Sequence, residues 1–449
     1  MTLSPDKTLM RNPRRTRKRL VLAGTLVVVL GLFGFFLFPK YLAWQAVSLM
    51  KSSRLLLAEE YFKKAEQRIS NDPEFLIQRA RYHRKLSEFD EMAQVLEKAV
   101  TAGASALDVF TERRMADAQR GNLESLEPEL PRLFSNYRDP DEVCEAFVLG
   151  CLLKYRLQDA MELLSVWEAD FPDDDRANYL RGRILEHRQN LDDALVQYET
   201  AIRKNPYNSA ASFSTGRVLS TKKDLEAALS RFLECSRTLG DPRPGLVAAA
   251  GCSRILGRIE EAKNYLAQAE DYSGGDILLA YRLVGEPSES GKARLANERG
   301  ELAFLASDFS AAADFFQTAV DASPADRRAR YRLSQAQEKA GKSAEAKANA
   351  DRVKATRAAL EECDPLISLL KSEPHNVDAR FRIGITFLEH VSFDQGIIWL
   401  DSVLDIDPDH QGAHEALATY FEKHQNENPL FKTLAAQHRA KLHQVETPQ

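Results

Sequence analysis

Glycine and proline are sparse in this chain of 449 residues, at 21 and 18, which argues against long disordered stretches. With 44% hydrophobic residues the chain has the apolar content to fold, and it is too long for one ordinary globular core. Cysteine is scarce as well: Cys144, Cys151, Cys235, Cys252 and Cys363 include no C-x-x-C pair. On a shared helix Cys144 and Cys151 would lie about 10.5 Å apart along the axis, beyond disulfide reach. Cys235 with Cys252 stays open as a pair; otherwise the cysteines read as small buried hydrophobes. P-loop, G-x-G-x-x-G, G-x-S-x-G and H-E-x-x-H patterns are also missing, so no motif announces a phosphate cradle, a nucleophilic serine or a zinc hydrolase.

What the chain does have begins at its N-terminus. The basic stretch "RNPRRTRKR" leads into 19 uncharged residues, Leu20–Phe38. At about 1.5 Å per residue that run reaches roughly 28 Å, close to the thickness of a bilayer's hydrocarbon core. It is too long for a typical signal-peptide core, and "FPKYLAWQA" offers no small residues at both cleavage positions, so a retained signal anchor is expected rather than a cleaved leader. Arg14-Arg15 is not followed by the apolar residues of a twin-arginine export signal. Lys7, Arg11, Arg14, Arg15, Arg17, Lys18 and Arg19 precede the run, against Lys40, Lys51 and Arg54 just after it. By the positive-inside rule, residues 1–19 form a cytoplasmic tail and the body is exported, here to the periplasmic face of an inner membrane.

Seven basic side chains and Asp6 give those first 19 residues a net +6, which leaves −11 on the remainder of a chain whose total is −5. An acidic body is a poor match for phosphate backbones, so no nucleic-acid partner is expected; the basic tail suits anionic lipid.

The body is ruled at a fixed interval. In "NLDDALVQYETAIRKNP", Ala194, Tyr198, Ala201 and Pro206 stand at positions 20, 24, 27 and 32 of a unit starting at Asp175, with Gly182 at position 8. Stepping by 34 places Gly216, Ala228 and Phe232 on the same marks, and backwards Ala160, Leu164 and Pro172. Starts at 39, 73, 107, 141, 175, 209 and 243 share one phase, with the unit at 107 weak. The phase then jumps by 50 to 293, where Gly300, Ala312, Phe316, Ala319 and Pro324 fit, continues at 327, and jumps by 50 again to 377 and on to 411. Small residues at 8 and 20 let paired helices approach, the large residue at 24 fills the gap, and proline stops the second helix.

This pattern resembles the tetratricopeptide repeat, in its membrane-anchored bacterial form. The resemblance implies an all-α fold: a right-handed α-solenoid of helix pairs after one transmembrane helix. The expected organisation is a tail 1–19, an anchor 20–38, seven repeats over 39–276, a helical insertion 277–292, two repeats over 293–360, a second insertion 361–376 read as one lone helix ending in proline, and last repeats with a cap over 377–449.

The resemblance also implies function. In such arrays the first helix of each unit lines a groove, with positions 2, 5, 9 and 12 turned to ligand. Here these include Arg176, Tyr179, Arg183, Phe213, Arg217, Arg254, Arg294, Arg328, Tyr331 and Phe381. Guanidinium forks interleaved with rings suit an extended acidic segment of a protein or peptide partner; packing between helices is the competing role for the same residues. The carboxylate-clamp set of chaperone adaptors is not present, since Asn297 at a position 5 is followed by Glu301 at position 9. Asp407, Asp409, His410 and His414 are the best metal candidates, better explained as an exposed helix start. The expectation is thus a non-enzymatic scaffold or adaptor in envelope assembly, secretion or quality control, with no cofactor. The alternatives are the same scaffold with a cytoplasmic body, and a catalytic or metal-dependent protein using the insertions.

Overall fold

The structure is a computed structural model, describing residues 37–123, 125–136, 139–154, 156–286, 290–425 and 429–444. Apart from Leu37 and Phe38, the apolar run Leu20–Phe38 and the basic tail lie outside the described residues. Among those described, every regular element is helical, and no helix is long and apolar enough to cross a membrane. The chain forms two compact units, one ending at Ser105 and one starting at Ala106.

The first unit holds four helices: one over 37–51, then Leu55–Ile69, and then Pro73–Lys85 packed on Phe89–Thr101. Ala46, Ala58, Phe62 and Ala65, the marks of the unit at 39, are all 0% exposed.

In the second unit most helices pack on their neighbours in sequence; two steps are skipped, with Ala106–Gln119 packing on Pro140–Leu153 and the short helix Ile277–Leu283 packing on Arg243–Ile255 and on the helix that follows it. Asp175–His187 with Leu191–Lys204 is the clearest pair. Asp174 and Asn190 cap the two starts by accepting backbone N–H groups, and Ala194, Tyr198 and Ala201 are fully buried. Gly182 faces the Tyr198 ring so closely that an added Cβ would stand 2.6 Å from it; Gly216 bears the same relation to Phe232 and Gly300 to Phe316. The packing marks at positions 8 and 24 are therefore partners across each pair.

A second ruler is written in the backbone. Residues with positive φ follow the first helix of successive pairs at Ser53, Ser87, Gly121, Gln189, Lys223, Gly257, Ser307 and Gly341. They occupy one position of the 34-residue template, and the step from Gly257 to Ser307 contains the first insertion. Each lets the chain reverse after the helix in a left-handed cap, which glycine adopts without strain and serine, glutamine or lysine at a cost of about 1 kcal/mol.

Two segments differ from the expected pairing. In the weak unit at 107 the second helix is cut down to a 3₁₀ turn, Glu127–Glu129, and a short helix, Leu130–Asn136. Pro128 and Pro131 remove the N–H groups a longer helix would need there. Residues 361–369, expected as part of a lone helix, instead complete a single helix of 27 residues, Ser343–Leu369. Pro172, Pro206 and Pro324 follow the second helix of their units, but the equivalent position here is Ala358, so nothing stops the helix, and Pro365 is accommodated inside it. In the first insertion, Ile277–Leu283 is a short helix, and the next helix starts early, at Ser290. The chain closes with Gln411–Lys423 and Pro429–Gln444, packed through Phe421 and Ala435.

The second unit also contacts itself at long range. Arg380, 1% exposed, donates from Nη1 to the Lys154 carbonyl at 2.8 Å, across 226 residues, and from Nε to the Pro374 carbonyl at 2.8 Å. Lys154 in turn forms an ion pair with Asp405. Burial and the nearby Asp405 push the Asp401 carboxyl up to about 6, against the pull of Lys154.

Candidate functional site

The first helices of the second unit carry a row of arginines, and most are already engaged by the chain's own carboxylates. Arg176 donates to Glu142 at 2.9 Å, Glu145 at 2.6 Å, Asp141 at 2.5 Å and Asp174 at 2.7 Å, with its guanidinium 5.4 Å from the Trp167 ring centre. Burial alone would raise the Asp174 carboxyl, but Arg176 holds it below the usual value. Arg217 grips Glu186 with Nε and Nη2, at 2.9 and 2.8 Å, and the Tyr198 hydroxyl donates to the same carboxylate at 2.7 Å. Burial and Glu186 together push the Tyr198 phenol upwards. Arg254 holds Glu298 at 2.8 Å, and Arg332 holds Glu301 through Nε at 2.8 Å and Nη2 at 2.7 Å.

Three of these pairs share a spacing: Arg176–Glu145, Arg217–Glu186 and Arg332–Glu301 are each 31 residues apart. That is one repeat less three residues, which sets an arginine beside a glutamate almost one turn further along the preceding first helix. The sequence held this signal, in acidic residues 31 before groove arginines.

The first insertion joins the same network. Glu286, 7% exposed, accepts from Arg217 and also from Arg294. Next to it Gly285 has φ +79° and lies against the Tyr179 hydroxyl, where an added Cβ would stand 2.3 Å from the oxygen. Only glycine combines that backbone with that approach.

Arg176, Arg217, Arg254 and Arg294 thus have their forks occupied, rather than turned free to a ligand. Phe213 is 1% exposed and packs on Phe232 with centroids 5.2 Å apart, so it is core rather than a ligand-facing ring. Tyr179 packs on Tyr198 at 6.0 Å, and Phe381 on His410 at 4.8 Å. Arg183 and Arg328 have no side-chain partner among the described residues, and Tyr331 is 50% exposed. The sequence-predicted set therefore divides into an internal lattice and three accessible side chains.

A groove of about 640 Å³ runs over this surface from Phe213 to Arg332. Phe232, Val247 and Ile255 supply its apolar lining, with Ile255 57% exposed. Its cations without a carboxylate partner among the described residues are Lys223 and Arg328, both exposed, and Asn297 donates to Asp326 within it at 3.3 Å. Lys223, Ile255 and the glutamates were not legible as groove residues from template positions alone.

The histidine cluster has other work. His410 Nδ1 accepts from the Ala413 N–H at 3.1 Å as a helix cap; His414 meets the Pro408 carbonyl and His438 Nδ1, each at 2.9 Å. Among the described residues no group of three or more His, Cys, Asp or Glu side chains converges to hold a metal.

Residues 157–198 match the family model of the tetratricopeptide repeat. The matched stretch runs from the second helix of one pair through Asp175–His187 to Tyr198 of the next, and the tetratricopeptide-like pairing described above extends on both sides of it. No curated protein matches the chain. Similar solved structures include pilF of Pseudomonas aeruginosa, 15% identical over 46% of this chain and 88% of that one, with a TM-score of 0.38. PilW, a widely conserved type IV pilus biogenesis factor, is 12% identical over 47% of this chain and 91% of its own, with a TM-score of 0.38. The Cut9–Hcn1 hetero-tetramer of APC/C is 16% identical over 80% and 59%, with a TM-score of 0.36.

Proposed function

We propose that the protein is a membrane-anchored scaffold whose tetratricopeptide-like body is exported and holds a partner protein in the groove between Phe213 and Arg332. The groove itself carries this reading: an apolar lining with two uncommitted cations, Lys223 and Arg328, beside a lattice of paired charges. Such a surface suits an extended segment with apolar side chains and a few carboxylates, since the paired arginines are not free to neutralise more. The anchor and export rest on the apolar run Leu20–Phe38 and the basic residues before it.

The double substitution Lys223→Glu with Arg328→Glu tests the groove without breaking an internal pair. Partners crosslinked in intact cells and identified by mass spectrometry are expected to be lost or to bind without salt dependence; unchanged capture would overturn the assignment. A reporter fused to the C-terminus, active only outside the cytoplasm, tests export.

A further inference from the structure

The helix over 37–51 has two unlike faces. Leu42, Ala46 and Met50, at 8%, 0% and 3% exposed, form one of them and belong to the core of the first unit. On the other, Phe38, Tyr41 and Trp44 are 54%, 52% and 62% exposed, with Leu37 beside them at 44%. The spacing of three residues lines Phe38, Tyr41 and Trp44 along one arc of the helix. The Tyr41 and Trp44 rings lie 6.1 Å apart, and Gln45 donates to the Tyr41 hydroxyl at 3.0 Å. Ser48 and Lys51 continue the arc as exposed polar residues.

The order along the arc is a polarity gradient. It runs from Leu37 and Phe38, the last apolar residues of the N-terminal run, through two rings with polar handles, flanked by the exposed Lys40, which pairs with Asp72 at 3.6 Å, to serine and lysine. Along the axis Tyr41 and Trp44 stand about 4.5 and 9 Å beyond Phe38, while Lys51 stands about 20 Å beyond it. A headgroup layer is about 5–7 Å deep on each side of the hydrocarbon. Helical side chains lean towards the N-terminus, which here brings the Trp44 ring back towards that layer. Tyrosine and tryptophan favour such a layer, where ring and polar tip are both satisfied.

We infer that Phe38, Tyr41 and Trp44 seat the first helix in the lipid headgroup layer, so that the repeat body starts at the membrane surface without a linker. This rests on the anchoring reading. It adds that the first repeat helix is itself a membrane-contacting element, with bilayer lipid as the occupant of its exposed face.

Tryptophan fluorescence of the full chain in lipid nanodiscs tests it. Of the three tryptophans, Trp167 and Trp399 are 0% and 9% exposed, so the difference between the native chain and Trp44→Phe reports Trp44. Lipids brominated near the headgroup are expected to quench most of that difference emission, and aqueous iodide little of it. Quenching by iodide but not by brominated lipid would overturn the inference, as would a blue-shifted emission that neither reaches, the mark of a protein partner or second copy on this face. Carbonate extraction of the chain from vesicles separates the two readings: release from the membrane overturns anchoring and seating together, whereas retention with iodide-quenched Trp44 overturns seating alone.

Discussion

Arg217 donates to Glu286 across 69 residues of sequence, so a side chain of one repeat is neutralised by a carboxylate from an insertion outside the repeat pattern. Glu286 also serves Arg294, while Arg217 holds Glu186. Removing Glu286 leaves two guanidinium groups short of a counter-charge in a partly buried place. Glu286→Gln is expected to lower stability by about 1–3 kcal/mol in urea unfolding. The double variant with Arg217→Gln should cost less than the sum of the single ones. Additive losses would show that the two residues do not act as a unit.

Gly285 and Tyr179 make a sharper test of the same insertion. Gly285→Ala sets a Cβ against the Tyr179 hydroxyl at a position with φ +79° and is expected to destabilise by about 2–3 kcal/mol. Adding Tyr179→Phe removes the oxygen and should return part of the loss, leaving about 1 kcal/mol of backbone strain. Thermal denaturation of the two variants measures this; no rescue would place the strain elsewhere.

Asp401 gives stability a pH dependence. Its folded-state value, pushed up to about 6 by burial and Asp405, exceeds the ordinary aspartate value of 3.8, so the folded chain holds the proton more tightly than the unfolded one. The contribution is complete below the ordinary value and is lost as pH rises through about 6. Asp401→Asn should therefore stabilise the protein near pH 7.5 by about 1–3 kcal/mol and flatten its stability between pH 4 and 7. Paired urea titrations across that range measure the difference.

The cysteines should be silent in the folded state. None of the five is in a disulfide and all are buried; burial pushes the Cys144 thiol up to about 12 and raises Cys235, Cys252 and Cys363. A thiol-specific chromogenic reagent is expected to label none of them under native conditions and all of them in urea. Native labelling would reveal local opening around the residue modified.

The helix pairs were legible because their packing residues recur: Gly182 and Tyr198, Gly216 and Phe232, Gly300 and Phe316 are local, repeated contacts. The long helix Ser343–Leu369 was hidden because its cause is a missing stop at Ala358, and an absence leaves no mark on a template built from what is present. The groove was read only in part. Template positions identify which face an arginine shares, but not whether a carboxylate from the neighbouring repeat or the insertion reaches it first. Arg183 and Arg217 occupy the same template position, yet among the described residues only Arg217 is paired, because Glu186 and Glu286 both reach it.

The contact of Arg380 with the Lys154 carbonyl has a mechanical consequence. In a repeat array coupled only to nearest neighbours, units can yield one at a time under load, like a spring paying out its coils. A buried clasp across 226 residues, reinforced by the Lys154–Asp405 ion pair, makes the intervening repeats a closed loop. Force applied across that loop meets the clasp before the helices it encloses, so a single rupture should precede their extension.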